Sequence, residues 1–192
     1  MNHLVIDIET TPLELKDEII KEYLMDKQIS KEMRSLNPLY SKIICICLKP
    51  NDKETIVLNG ENEKEILERF WFTVKDYSLF ITHNGYGYDI PFIMVRSTIN
   101  KLKSTININI NKFQMKTSNH FDTMLHFNQN GAFLNPRLDI VAKTCNINIG
   151  ENRFGGKEVE RLYKEGKIEE IKQHCKEDVE ITEKVYLFIK NG

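Results

Sequence analysis

Asp7 and Glu9 lie two residues apart in Leu4-Val-Ile-Asp-Ile-Glu-Thr-Thr11. The apolar residues around them read as a strand, and positions i and i+2 of a strand share a face. Both carboxylates therefore point the same way, where they repel each other and lose hydration. A hard divalent cation such as Mg²⁺ or Mn²⁺ removes that conflict, because it prefers carboxylate oxygen. An edge strand with one solvated face is the plainer account, since Asp-x-Glu also arises by chance.

Two further acidic segments point the same way. In Ile81-Thr-His-Asn-Gly-Tyr-Gly-Tyr-Asp-Ile-Pro-Phe-Ile93, an apolar run ending at Thr82 reads as a buried strand, and Asn84, Gly85 and Gly87 supply a turn. Asp89 then opens a helix that tolerates Pro91 in its first turn. Asp89 is expected to be the N-cap, a place from which it can also face a metal. Further on, Ile168, Ile171, Cys175, Val179, Thr182, Val185 and Tyr186 recur at helical spacing and define a buried stripe. Asp178 borders that stripe, and His174 stands one turn earlier on the same face. Glu177, Glu180 and Lys184 belong to the solvated face of this helix.

With these motifs in order, the chain resembles the DEDD 3′–5′ exonucleases, and within them the proofreading domain of family B DNA polymerases and its stand-alone relatives. The resemblance rests on Asp-x-Glu in a first strand, Asn-x-x-x-Tyr-Asp-x-Pro before a helix, and His174-x-x-x-Asp178 in the last helix. Leu36-Asn-Pro-Leu-Tyr-Ser-Lys-Ile-Ile-Cys-Ile46 looks like the family's second strand with its lead-in. Leu138-Asp-Ile-Val-Ala-Lys143 and Gly155-Gly-Lys-Glu-Val159 look like its segment between the second and third acidic motifs. The resemblance implies an α/β fold of the ribonuclease H-like type, three layers with a central mixed β-sheet flanked by helices. It also implies four metal-site acids, Asp7, Glu9, Asp89 and Asp178, with Thr10 and Asn84 near the substrate strand.

The implied cofactors are two Mg²⁺ or Mn²⁺ ions about 3.5–4 Å apart astride the scissile phosphate. Asp7 would bridge both, Glu9 and Asp178 would complete one site, and Asp89 would hold the other. The polymerase-like branch carries Tyr four residues before the last Asp, where this chain has His174. The other branch uses His five residues before, where Gln173 stands here. An imidazole, with an ordinary pKa of about 6.5, can take a proton from the attacking water or orient it. The implied product is a nucleoside 5′-monophosphate from a single-stranded or frayed DNA 3′ end. The alternatives are an exoribonuclease, which sequence does not separate from a DNA enzyme, and a non-catalytic end-binding domain serving a helicase or polymerase. Retention of all four acids favours the enzyme.

Composition agrees with that reading. The 192 residues are expected to form a single domain spanning 1–192. A net charge of −1 gives no global attraction to nucleic acid, which counts mildly against a long-footprint binder and less against an enzyme gripping a terminus. Arg96, Lys101, Lys103, Lys112, Lys116, Arg153, Lys157, Arg161 and Lys164 are local basic groups, more often surface charges than phosphate contacts. Cys45, Cys47, Cys145 and Cys175 read as buried reduced thiols and not as a ligand set, which points to the cytoplasm. No signal peptide or membrane span is expected.

The positioning elements follow from periodicity. Strands are expected near 3–8, 42–49, 54–58 and 78–82, with a weak one at 105–110, and a helix from Glu61 to about Val74. Residues 11–35 form a polar, helix-prone insertion that could act as a flap, and 150–156 is the most loop-like stretch. Asp122 and Asp139 are read as structural acids.

Overall fold

A computed structural model describes residues 2–111, 118–150 and 155–192, without the side chains of Lys31, Glu32 and Lys157. Five strands, β1 (His3–Pro12), β2 (Ser41–Pro50), β3 (Ile56–Asn59), β4 (Leu79–Thr82) and β5 (His120–Asp122), form one sheet in the order β3-β2-β1-β4-β5. The first three run antiparallel, whereas β4 and β5 run parallel to β1, so the sheet is mixed. The helices are α1 (Glu18–Asp26), α2 (Lys31–Ser35), α3 (Glu63–Val74), α4 (Asp89–Ile99), α5 (Thr123–Phe127), α6 (Leu138–Thr144), α7 (Val159–Lys164) and α8 (Ile168–Asn191).

Alternation along β1 decides the layers. Leu4, Ile6 and Ile8 join Ile46, Leu48 and Phe80 on one face, packed against Ile66, Leu67 and Phe70 of α3 and Ile93 of α4. Each such buried side chain contributes about 1.5–3 kcal/mol. Val5, Cys45, Cys47 and Ile81 pack on the other face against Cys175, Val179 and Tyr186 of α8. By the same period of two, Asp7 and Glu9 belong to the α8 face.

The registers open the place where the acids gather. Asp7 pairs with Cys47 and Glu9 with Cys45, but Thr10 pairs with Ile43, leaving Ile44 as the extra residue of a bulge. Ile44 packs against Val159 and Leu162 of α7, which brings that helix over the end of β1. On the other side, β1 pairs with β4 only from His3 to Val5. Beyond that point β1 has an open edge, and α4 begins there.

Several expectations change. Residues 105–110 form no strand. The Asn119 amide bonds the Asn109 N–H (2.9 Å) and the Asn107 carbonyl (2.8 Å), so a side chain takes the place of a ladder partner. The strand at that edge is the three-residue β5, too short to show a period in sequence. Arg96 is not a surface charge: it is buried, with Nη2 2.6 Å and Nε 2.9 Å from the Glu63 carboxylate. Residues 11–12 extend β1, and the rest of the insertion holds α1 and α2, of which α2 packs beside β1. Lys112, Lys116 and Arg153, with the Lys157 side chain, lie outside the described residues. Among the described residues, no helix is long and apolar enough to cross a membrane.

Candidate active site

Asp89 reaches the site from the first turn of α4. It is the first helical residue and Tyr88 the N-cap, which corrects the expectation that Asp89 caps the helix. Its carboxylate instead accepts the Ile8 N–H at 3.2 Å, occupying the open edge that β4 leaves on β1. The preceding turn is held by Asp122, whose carboxylate accepts the N–H groups of Asn84 (3.0 Å), Tyr86 (3.1 Å), Met124 (2.9 Å) and Leu125 (3.2 Å). Asn84 turns through a φ of 75°, and a Cβ on Gly85 would lie 2.3 Å from Thr82 Oγ1. These restraints fix where Asp89 enters. Asp122→Ala would strand four donors, two of them in this turn, and is expected to cost about 3–5 kcal/mol in chemical denaturation. An unchanged midpoint would show that water replaces the carboxylate without loss.

Glu9, His174 and Asp178 converge, with ligand atoms within 4.8 Å of one another. His174 Nε2 lies 3.7 Å from Glu9 Oε1 and 3.5 Å from Asp178 Oδ2. Asp7 and Asp89 join them electrostatically. Burial, then the charges of Asp89 and Glu9, hold the Asp7 carboxyl well above the usual carboxylate range. Burial also raises Glu9, and it lifts Asp89 to about 7, with Asp122 adding to the rise. Asp7 Oδ2 is buried and has no hydrogen-bond partner among the described residues. An orphaned buried carboxylate oxygen, inside a cluster whose protons are held by burial and then by mutual repulsion, fits a hard divalent cation.

An acid raised on folding takes up a proton at intermediate pH. Without divalent ions, stability is therefore present at low pH and lost as pH rises from about 4 to about 7, on the order of 4 kcal/mol for Asp89 alone. The melting temperature in chelator should fall across that range, and Mg²⁺ or Mn²⁺ should flatten the fall. A profile that rises with pH, or is the same with and without the cation, would contradict this charge cluster.

A cleft of about 450 Å³ opens over the cluster, lined by Glu9, Thr10, Met33, Leu36, Tyr88 and His174 among others. Thr10 Oγ1 donates to the Ser35 carbonyl at 3.0 Å and lies 2.8 Å from the Tyr88 hydroxyl, so the insertion is fastened to β1 and α4 as a wall. Asn84 lines neither this cleft nor the smaller one beside it. It borders a separate groove with Asn128, Asn130 and Asn135. The smaller cleft adds Arg137, exposed and paired with Asp139 at 2.8 Å, to His174 and Asp178. The Arg137 cation did not stand out in sequence; Met33 lies in the insertion read there as a flap and Leu36 opens the lead-in to the second strand, but neither was read as a cleft residue. Tyr88 lay within the second acidic motif and could have been singled out there.

Comparison with known proteins gives the family and the fold. A model described as "Predicted 3′-5′ exonuclease related to the exonuclease domain of PolB" matches residues 36–191. A search of curated proteins gives no match. The family B DNA polymerase from the hyperthermophilic archaeon Pyrobaculum calidifontis has a similar structure, with a TM-score of 0.69 at 16% identity. The match covers 99% of this chain and 24% of that polymerase, so the chain spans about a quarter of its length. The likeness carries the fold, which is ribonuclease H-like, with a mixed five-stranded sheet between helices. By the family match, the chain belongs to the 3′–5′ exonucleases related to the exonuclease domain of PolB and is a nuclease.

Proposed function

We propose that residues 1–192 act as one metal-dependent 3′–5′ exonuclease on single-stranded or frayed DNA ends, releasing nucleoside 5′-monophosphates. The observation that supports it most is the meeting of Glu9, His174 and Asp178 under one cleft, beside the orphaned oxygen of Asp7. Asp7, Glu9 and Asp178 would hold one divalent cation, and Asp7 with Asp89 a second. Bound there, the cations supply Lewis acidity and neutralise charge on the scissile phosphate. His174, between two carboxylates, takes or orients the proton of the attacking water. Met33 and Leu36 give the terminal base an apolar wall, and Tyr88 with Thr10 keeps that wall in place.

A cleft of about 450 Å³ and a net charge of −1 suit a single terminus over a duplex face. A helicase or polymerase would supply such ends. Arg137 is the cation nearest the next phosphate in this reading, so Arg137→Ala should raise KM by roughly tenfold or less, with kcat little changed. A lower kcat at unchanged KM would remove it from substrate binding. End-labelled single-stranded DNA, duplex DNA and RNA, each incubated with Mg²⁺, Mn²⁺ or chelator, test the whole reading. Fastest loss of single-stranded DNA, abolished by chelator, is expected. Equal or faster loss of RNA would instead make the protein an exoribonuclease, and no loss of any substrate would leave an end-binding domain.

A further inference from the structure

Three of the four cysteines meet behind the carboxylate cluster. Cys45 and Cys47 are two residues apart on β2 and point to the α8 face, where Cys175 meets them. Their sulfurs all lie within 4.8 Å of one another, and all three residues are fully buried. Val5, Ile81, Val179 and Tyr186 pack around them, while Cys175 Sγ lies 3.6 Å from the Asp7 carbonyl and Cys47 Sγ 3.9 Å from the Lys172 carbonyl. Cys145 stays apart, packed with Val141 and Ile181 between α6 and α8. All four cysteines are free and buried, as the sequence leads one to expect, but the convergence of three of them was not apparent there.

We propose that Cys45, Cys47 and Cys175 form a binding site for one thiophilic divalent cation of the zinc–cadmium class, distinct from the carboxylate site. A Zn–S bond of about 2.3 Å places sulfurs about 3.8–4.0 Å apart around one ion, so the observed spacing needs only a small contraction. Thiolate sulfur selects such ions, whereas the neighbouring carboxylates select Mg²⁺ or Mn²⁺, so the two sites sort metals by softness. Binding forms three metal–sulfur bonds and releases three thiol protons to solvent, leaving a site charge of −1. The consequence is mechanical. Cys47 and Cys45 face Asp7 and Glu9 across the β1–β2 ladder, and Cys175 follows His174, so the ion would tie α8, which carries Asp178, to the ladder partner of the strand that carries Asp7 and Glu9. This inference does not depend on the nuclease reading.

The full chain is unfolded in reductant and refolded with excess Mg²⁺, with or without Cd²⁺, then dialysed. About one tightly held cadmium per chain is expected, with sulfur-to-cadmium charge-transfer absorption and a higher melting temperature. Cys47→Ala and Cys175→Ala should lose the band, and Cys145→Ala should keep it. Should the first two fail to fold, X-ray absorption at the cadmium edge of the parent decides, with a shell of about three sulfurs expected. No retained cadmium, a shell of oxygen and nitrogen alone, or a band that survives Cys175→Ala would overturn the proposal.

Discussion

Asp7→Ala and Asp178→Ala should each abolish turnover while leaving the protein folded. Asp7 is the half-buried acid whose proton is held by desolvation and by the charges of Asp89 and Glu9. Removing it relieves repulsion, so stability without divalent ions should hold level or rise slightly. Asp178 lies 3.5 Å from His174 and within the same ligand cluster as Glu9. Losing either acid takes a donor from the cation site, so Mn²⁺ should raise the melting temperature of the parent more than that of either variant, by mass action. Melting curves with and without Mn²⁺, run beside activity assays, check both halves. Near-parental rates in either variant, or equal stabilisation of all three proteins, would remove these residues from the metal site.

His174→Phe should lower the rate by roughly 10²–10⁴-fold, the range for loss of a general base. The ring is buried and Nε2 faces both Glu9 and Asp178, a placement that packing beside Cys175 does not require. The size of the loss in a second variant separates two roles. If His174 only orients the water, His174→Tyr keeps much of the activity, since a phenol offers a similar hydrogen bond. If it accepts the proton, His174→Tyr is as slow as His174→Phe. Parental rates in His174→Ala would make the residue structural and move the water-orienting role elsewhere.

What sequence revealed and what it hid follow one physical division. Asp7, Glu9 and the α8 stripe were legible because strand and helix periods dictate which residues share a face. His174 and Asp178 fell on the same face of α8 for that reason, and the structure brings both to Glu9. Asp89 was legible as an acid at a helix start, but its carboxylate turns to the Ile8 N–H because β4 ends early and leaves that donor open. Such a contact depends on relative strand lengths, which no local pattern encodes. The same holds for residues 105–110: their alternation reads as a strand, yet the Asn119 side chain replaces the partner backbone. Convergence of Cys45, Cys47 and Cys175 needed the packing of α8 on β2, and the Arg137 cation needed the placement of α6 beside α8.

The central claim is hydrolysis from the 3′ end at the carboxylate cluster. The measurement that reaches it most directly is the identity of the first product, by mass spectrometry, from a 3′-labelled single strand and from a closed circular strand in Mg²⁺. The account predicts immediate release of labelled nucleoside 5′-monophosphate from the linear strand and an intact circle. Cleavage of the circle, release of a 3′-monophosphate, or first release from the 5′ end would contradict it.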